Sequence, residues 1–360
     1  MMLPASIVRG RRKNKAWPLA ANERFIPRTG LVRVPLPVLA AIAAGLVALA
    51  SAGGSGPPYG AYPPLSIAGR PGAAGAPVAR AVALAEETVR KAESAVASAK
   101  RAAGLIAPPE AGANASSLIG DELTPLVTTL GSLEAKRLSA DPRWVHALVP
   151  RLAAAGIGEG SFVAAGFSGS FPALNVAVAA ACQALGADIA AVSSVTASTW
   201  GANQPGFTWP EIERLLVREG ILRRVSIAVT MGGSEDRALD LDDDGRRLAA
   251  GIMEQVARDL GIPAFVPVDF QSAVTRRMEL YDEAREGRPV SLYVNIGGTE
   301  ASMGQSMAIL RQGSGFLPGV PFDFSRGRGV VARFAERGVP VLMLLNIRGL
   351  ALRWGIPSSG

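Results

Sequence analysis

The stretch SFVAAGFSGSFPALN, residues 161–175, contains the transition on which the fold prediction rests. It begins as a continuous apolar run of strand length and ends by opening a long alanine-rich segment of helical character. Between these parts lies Gly166-Phe167-Ser168-Gly169-Ser170, a turn rich in glycine and serine. A strand that passes through such a turn into a helix is typical of a parallel α/β unit.

The same alternation continues along the chain. The apolar runs and the helical periodicity predict strands over 161–167, 188–194, 225–231, 291–296 and 340–346, and helices over 142–155, 171–185, 209–220, 244–260, 271–286 and 327–337. Strands without polar alternation predict an α/β fold with a mostly parallel sheet and helices on both faces, in Rossmann-like layers. In such sheets ligands bind beyond the carboxyl ends of the strands, so the loops there are the candidates for a site.

Four of these loops are rich in glycine, serine and threonine: GFSGS, SSVTASTWGANQPG, MGGSEDR and IGGTEAS. The last two belong to related segments, because 226–235 and 291–300 share the pattern Ser-x-x-Val-x-x-Gly-Gly-(Ser/Thr)-Glu. Glycines in these loops allow a ligand to approach the backbone closely, and hydroxyl and N–H groups can bind anionic oxygens. The alternative to a ligand-binding role is that these residues only form ordinary turns. The expected ligand-binding residues are Gly166, Ser168, Gly169, Ser170, Ser194, Thr199, Gly232, Gly233, Ser234, Glu235, Gly297, Gly298, Thr299 and Glu300.

The basic charge of the protein is confined to its N-terminus. The net charge is +7, and residues 1–33 alone carry eight basic side chains and one acidic one. The remaining residues are therefore neutral overall, so the charge pattern gives no indication of a nucleic-acid-binding face.

An uncharged segment, VPLPVLAAIAAGLVALA (34–50), follows this basic tail. About 20 helical residues cross the hydrocarbon core, so 34–52 is predicted to be a signal anchor with its basic side in the cytoplasm and the C-terminal part extracytoplasmic. The alternatives are a signal peptide cleaved near ALASA and a buried helix. The expected organisation is a basic cytoplasmic tail (1–33), a transmembrane anchor (34–52), a Gly/Pro/Ala linker (53–77), a stalk or packing helix (78–103) and an α/β domain (117–360).

The sequence predicts no cofactor. It has no G-x-x-x-x-G-K-[ST] motif, and no G-x-G-x-x-G follows the first strand. Cys182 and His146 are the single cysteine and the single histidine, which argues against a zinc site and predicts a buried, inert thiol at Cys182. The segment starting at Asp240 begins like a calcium loop but has Gly251 where a bidentate Glu is required, so it is better explained as the acidic first turn of a helix.

Ser168 has three possible roles: a nucleophile, a ligand-binding hydroxyl or part of a tight turn. The nucleophile-elbow pattern G-x-S-x-G is half met, because Ser170 occupies its last position, and His146 precedes the serine instead of following it. Lys136 is the only lysine of the predicted α/β domain and could act as a base, contact an anionic ligand or form a structural ion pair. Ser168 and Lys136 are thus the candidate catalytic residues.

Several unusual segments, in order, resemble the poly-gamma-glutamate system proteins. They are LIGDELTPLVTTLGSLEAKRLSADP, GFSGSFPALN, SSVTASTWGANQPGFTWPEIE, GGSEDRAL, NIGGTEASMG and VPVLMLLNI, and the resemblance extends from about residue 80 to the end. The resemblance implies a place in the bacterial machinery that makes and exports poly-γ-glutamate, and it implies no catalytic residue.

Three functions remain open from the sequence. The first is a membrane-anchored accessory protein that binds the polymer or its synthetase and export partners. The second is a serine hydrolase or transferase acting on γ-glutamyl amide bonds, with Ser168 attacking and Lys136 or His146 assisting. The third is a small-molecule enzyme that uses carboxylates such as Glu235 and Glu300 as acid and base. We rank them in this order because the cofactor motifs fail and no complete catalytic set is present.

Overall fold

The computed structural model describes residues 75–105, 116–317 and 327–357. Its helices are α1 (Ala76–Ala102), α2 (Leu133–Ser139), α3 (Trp144–Ala154), α4 (Pro172–Ala184), α5 (Trp209–Arg218), α6 (Asp243–Leu260), α7 (Phe270–Ala284), α8 (Glu300–Met303), α9 (Val330–Glu336) and α10 (Ile347–Trp354). Its strands are β1 (Val127–Thr129), β2 (Phe162–Phe167), β3 (Asp188–Ser194), β4 (Ala197–Ser198), β5 (Ser226–Thr230), β6 (Val290–Ile296), β7 (Gly315–Leu317) and β8 (Val341–Leu344).

The main sheet has the strand order β5-β3-β2-β6-β8-β7. All neighbouring strands are parallel except β7 and β8, which are antiparallel. The predicted α/β fold with a mostly parallel sheet is therefore confirmed. The antiparallel β7 was not predicted because its three residues are too few to give a hydrophobic period.

Alternate residues of each strand enter two different layers of apolar side chains. Val163, Ala165 and Phe167 of β2 pack with α1, α3, α4, α5 and α10. Phe162 and Ala164 belong to the opposite layer, which contains α7 and α9. A further cluster places α6 against β5. Burial on both faces explains why the strands have apolar runs without polar alternation.

The apolar layer that contains α1, α3 and α4 is rich in small side chains, above all alanine. Helix α4 is buried along almost its whole length, since ten of its residues from Ala173 to Cys182 are buried. Helix α1 packs against α3 and α4 and buries Ala85, Ala92 and Val96. Cys182 is fully buried within this layer, as the sequence predicted.

A second, two-stranded parallel sheet joins β1 to β4 and pairs Thr129 with Ser198. Strand β4 follows β3 after two residues, and β1 leads into α2. This small sheet, which the sequence did not predict, therefore brings residues near position 136 to the carboxyl end of β3.

The predicted signal anchor at 34–52 lies outside the described residues. Within the described ranges, no helix is both long enough and apolar enough to cross a membrane.

Candidate functional site

The carboxyl ends of β2 and β6 form a topological switch point. From β2 the chain continues to β3 and then β5 on one side, and it later returns to β6 and β8 on the other side. Strands β2 and β6 are neighbours in the sheet, and the loops that follow them consequently run in opposite directions. This is the position at which parallel α/β sheets commonly bind ligands.

Ser168 lies at this switch point beneath the loop that follows β6. A Cβ placed on Gly297, whose φ is +81°, would come 2.2 Å from the Ser168 hydroxyl oxygen, so only glycine fits there. The backbone N–H of Ser170 donates to Ser168 Oγ at 3.2 Å, and Asn175 Nδ2 of α4 donates to the Ser168 carbonyl at 2.9 Å. Ser168 is thus a buried part of a tightly packed turn at the predicted edge.

Lys136 of α2 is the most unusual charged group at this edge. Its side chain is 2% exposed, its amine donates to Ser198 Oγ at 2.7 Å and to the Ser170 carbonyl, and the Phe171 ring centroid is 3.9 Å away. Among the described residues, no carboxylate forms an ion pair with it. Burial lowers the pKa of Lys136 from 10.5 to about 7, because removal from water disfavours the ammonium form.

The hydroxyl that Lys136 contacts is that of Ser198 in β4, and not that of Ser168. Ser198 is buried, its backbone N–H donates to Ser170 Oγ at 3.1 Å, and β1 holds it from the other side. Next to it, Thr199 Oγ1 accepts from Gly131 N–H at 2.7 Å and donates to the Gly131 carbonyl at 3.0 Å. We call Lys136, Ser170 and Ser198 the lysine–serine cluster.

The backbone around this cluster is tightly constrained. Trp200, two residues after Ser198, is buried and has a φ of 63°, a left-handed conformation that is uncommon for a residue other than glycine. A Cβ on Gly131 would lie 2.9 Å from Ser198 Oγ and 3.2 Å from Lys136 Cε. Strained backbone of this kind is concentrated at functional sites.

The two related Gly-Gly-(Ser/Thr)-Glu loops meet although their strands are not neighbours. Strands β3 and β2 lie between β5 and β6, yet the Glu235 N–H donates to Glu300 Oε2 at 2.8 Å. Gln305 Nε2 donates to the other carboxylate oxygen of Glu300 at 2.8 Å. The carboxylate of Glu235 pairs with Arg237 at 3.2 Å. Each carboxylate therefore already has a donor within the protein.

Unpartnered polar atoms lie beside the same loops. Ser194 Oγ and Thr196 Oγ1 are buried and have no hydrogen-bond partner among the described residues, and the same holds for Asn175 Oδ1 and Gln204 Oε1. A Cβ on Gly232 would lie 2.8 Å from Thr196 Oγ1, so the loop after β5 approaches these hydroxyls closely. Buried polar groups are normally satisfied, which makes this set a candidate for contact with a ligand or ordered water.

A buried ion pair supports the loop after β5. Arg277 of α7 and Asp236 are fully buried, and Arg277 Nη2 donates to Asp236 Oδ1 at 2.8 Å and to Thr230 Oγ1 at 3.3 Å. Asp236 follows Glu235, and both have positive φ. The ion pair fixes the strained turn that carries Glu235 to the end of β5.

Other sequence candidates lie elsewhere or serve the fold. His146 contacts Glu86 of α1 at 3.2 Å, and both side chains are half exposed, so the contact places His146 at the α1–α3 surface. Asp242 caps α6 by accepting from Gly245 N–H at 2.7 Å, as the acidic-turn explanation predicted. Ser234 donates to Asp240 at 2.7 Å. Gly298 is exposed at the loop tip, and Thr299 directly precedes α8.

A cavity of about 350 Å³ lies away from these loops, between α7 and α9. It is lined by Gln271, Val274, Thr275, Met278, Glu279, Asp282, Arg333, Glu336 and Arg337. Arg337 pairs with Asp282 at 3.0 Å, and Arg333 with Glu336 at 3.5 Å. Four of its five charged side chains are thus paired with each other, and the fifth, Glu279, pairs with Arg276. We therefore regard the carboxyl edge as the stronger candidate.

No metal site is evident in the described part of the chain, because no three His, Cys, Asp or Glu side chains are grouped closely enough to hold an ion. Comparison with known protein families, characterised proteins and solved structures finds no match to this chain. The site must therefore be interpreted from its own chemistry.

Lys136 and the loops of this edge were candidates from the sequence, whereas Ser198 and Thr196, which the structure places beside them, were not among those candidates. Both lie in the same serine- and threonine-rich loop as the predicted Ser194 and Thr199. The pairing of β1 with β4 that positions this loop gave no sequence signal, because the two strands contain only three and two residues.

Proposed function

We propose that this chain is a membrane-anchored accessory protein of poly-γ-glutamate biosynthesis or export. In this proposal it binds the anionic polymer, or the synthetase and export proteins that handle it, at the carboxyl edge of the sheet. The resemblance of the sequence suggests the pathway, and the chemistry of the edge suggests the ligand.

The observation that carries the proposal is the buried amine of Lys136. An isolated buried ammonium is costly, and a carboxylate placed beside it would relieve that cost by forming a charge-assisted hydrogen bond. Each unit of poly-γ-glutamate presents one free carboxylate. The unpartnered hydroxyls of Ser194 and Thr196 supply further donors at the same edge.

The lowered pKa of Lys136 makes polymer binding pH-dependent. At pH values above about 7 the amine is increasingly neutral, so a bound carboxylate must draw a proton onto it. Affinity should fall as the pH rises above 7, by up to about tenfold per pH unit for one coupled proton. Binding should also take up protons from the buffer.

We would test this by isothermal titration calorimetry of the full chain in neutral detergent with poly-γ-glutamate, in two buffers of different ionisation enthalpy. The expected result is binding with proton uptake at pH 8 that is lost in Lys136→Met. Lys91→Met is the matched control, because Lys91 is exposed on α1 and pairs with Glu87. Poly-α-glutamate, which has the same charge, tests selectivity for the γ-linked backbone.

Two outcomes would contradict the proposal. One is the absence of polymer binding combined with no co-purification of synthetase or export proteins with the tagged full chain. The other is equal binding by the wild type and Lys136→Met, which would place the binding surface away from the carboxyl edge.

A further inference from the structure

We propose that Ser198 is a nucleophile activated by Lys136, and that the lysine–serine cluster performs acyl transfer on an amide or ester carbonyl. The reactivity of Ser198 is argued from the geometry and burial of the cluster. Only the identity of the substrate, a γ-glutamyl amide, rests on the function proposed above.

The geometry places the Lys136 amine beside the Ser198 hydroxyl. Among the described residues, no carboxylate pairs with this amine and holds it in the charged form. Lys136 Nζ and Ser198 Oγ are 2.7 Å apart, within the range expected for a nucleophile and its base. The Ser170 carbonyl accepts a hydrogen bond from the same amine. Ser170 Oγ accepts a second hydrogen bond, from the Ser198 backbone N–H at 3.1 Å. Ser170 thereby orients both members of the pair.

The surroundings also hold the pair in place. Strand β1 fixes Ser198 by pairing Thr129 with it, and the Phe171 ring lies over the Lys136 amine. A Cβ on Gly131 would come 3.2 Å from Lys136 Cε, so any larger residue there would crowd the lysine. Gly131 and Phe171 are half-buried, whereas Lys136 and Ser198 are 2% and 6% exposed.

The proposed reaction has two steps. Ser198 Oγ attacks the carbonyl carbon while neutral Lys136 accepts the hydroxyl proton, and collapse of the tetrahedral intermediate breaks the C–N bond as Lys136 gives that proton to the leaving amine. Water, or a second amine, then attacks the carbonyl carbon of the Ser198 ester while Lys136 accepts its proton. The bond between the acyl carbon and Ser198 Oγ breaks as Lys136 gives the proton to Oγ, which restores the serine and releases the acid or the new amide. A lysine can serve in this way only when neutral, which its buried position favours near pH 7.

The test is covalent labelling of the full chain, in neutral detergent, with a fluorophosphonate probe followed by mass spectrometry of the peptides. We expect the label on Ser198, with a rate that is half-maximal near pH 7, and at least a hundredfold loss in Ser198→Ala and in Lys136→Arg. Lys136→Arg keeps the positive charge but cannot act as a base. Ser94→Ala and Lys91→Met, both on the exposed side of α1, should label like the wild type.

A second variant covers the case in which Ser198→Ala fails to fold. Ser198→Cys should give a thiol that iodoacetamide alkylates rapidly at pH 7, while the buried Cys182 in the same molecule serves as the internal control. Label on Ser168 in place of Ser198, no label on the folded wild type, or slow alkylation of the thiol introduced by Ser198→Cys would each overturn the proposal. Labelling of Ser198 without polymer binding would uphold it and overturn the accessory-protein function instead.

Discussion

Lys136 keeps its amine almost entirely out of water, at 2% exposure, beside the hydroxyl of Ser198. The sequence marked it as the only lysine of the predicted α/β domain and left three roles open. The structure disfavours the structural ion pair, since no carboxylate among the described residues pairs with it. Its serine partner could not be predicted, because the contact spans 62 residues and depends on the pairing of β1 with β4.

The pKa of Lys136 predicts how stability changes with pH. The unfolded chain has a lysine pKa near 10.5 and the folded chain one of about 7, so between these values the unfolded state binds the extra proton. The stability of the wild type should therefore rise with pH in this window relative to Lys136→Met, by up to about 1.4 kcal/mol per pH unit. Urea unfolding at several pH values measures this difference.

Lys91→Met is the control for this experiment as well, and its stability should run parallel to that of the wild type, because the Lys91 side chain is 56% exposed. A constant gap between wild type and Lys136→Met from pH 7 to 10 would mean that Lys136 stays charged in the folded protein.

At the scale of elements, long apolar segments were predicted well and short ones were not. The five predicted strands and the helices from 142–155 to 327–337 agree with β2, β3, β5, β6, β8 and their neighbouring helices to within a few residues. Strands β1 and β4 contain three and two residues, which is too short for a period. Yet these two strands assemble the lysine–serine cluster, so the least predictable elements position the candidate site.

The ion pair between Asp236 and Arg277 predicts a large effect of one substitution on the loop after β5. Arg277→Met should lower the free energy of unfolding by about 3–5 kcal/mol, because it leaves a buried carboxylate without its partner. The adjacent Arg276→Met should cost less than about 1 kcal/mol, since Arg276 is partly exposed and pairs with surface glutamates. Both changes can be measured by urea unfolding at neutral pH.

The double variant Asp236→Asn/Arg277→Met separates charge from packing. It should recover part of the stability lost in Arg277→Met, because no buried charge is then left unpaired. If the double variant is less stable than the single one, packing and not the unpaired charge dominates at this position.

At the scale of the whole molecule, the sequence predicted the layers but not the order of the strands. Alternation of apolar strands and helices indicates a parallel sheet, whereas the return of the chain from β5 to β6 across β3 and β2 depends on packing that the pattern does not encode. The related loops at 226–235 and 291–300 suggested a common role. Their contact through Glu235 and Glu300 could not be predicted without that order.

The charge pattern at the N-terminus predicts the topology of the full protein. The uncharged segment 34–52 follows a strongly basic tail, so we expect the α/β domain on the extracytoplasmic side. Alkaline phosphatase fused after Gly360 should be active, and the fusion should stay with membranes after carbonate extraction. Full activity in the soluble periplasmic or culture fraction would favour the cleaved signal peptide, and an inactive fusion would contradict the orientation.

The distance along the chain between Lys136 and Ser198 has a consequence for newly made protein. Before the chain folds, position 136 carries a hydrated ammonium like that of any other lysine. Lys136 and Ser198 are 62 residues apart, and the amine is removed from water and brought to the hydroxyl only when β1 pairs with β4. The reaction proposed for the lysine–serine cluster therefore requires the folded protein, and we expect it to be absent from the nascent chain.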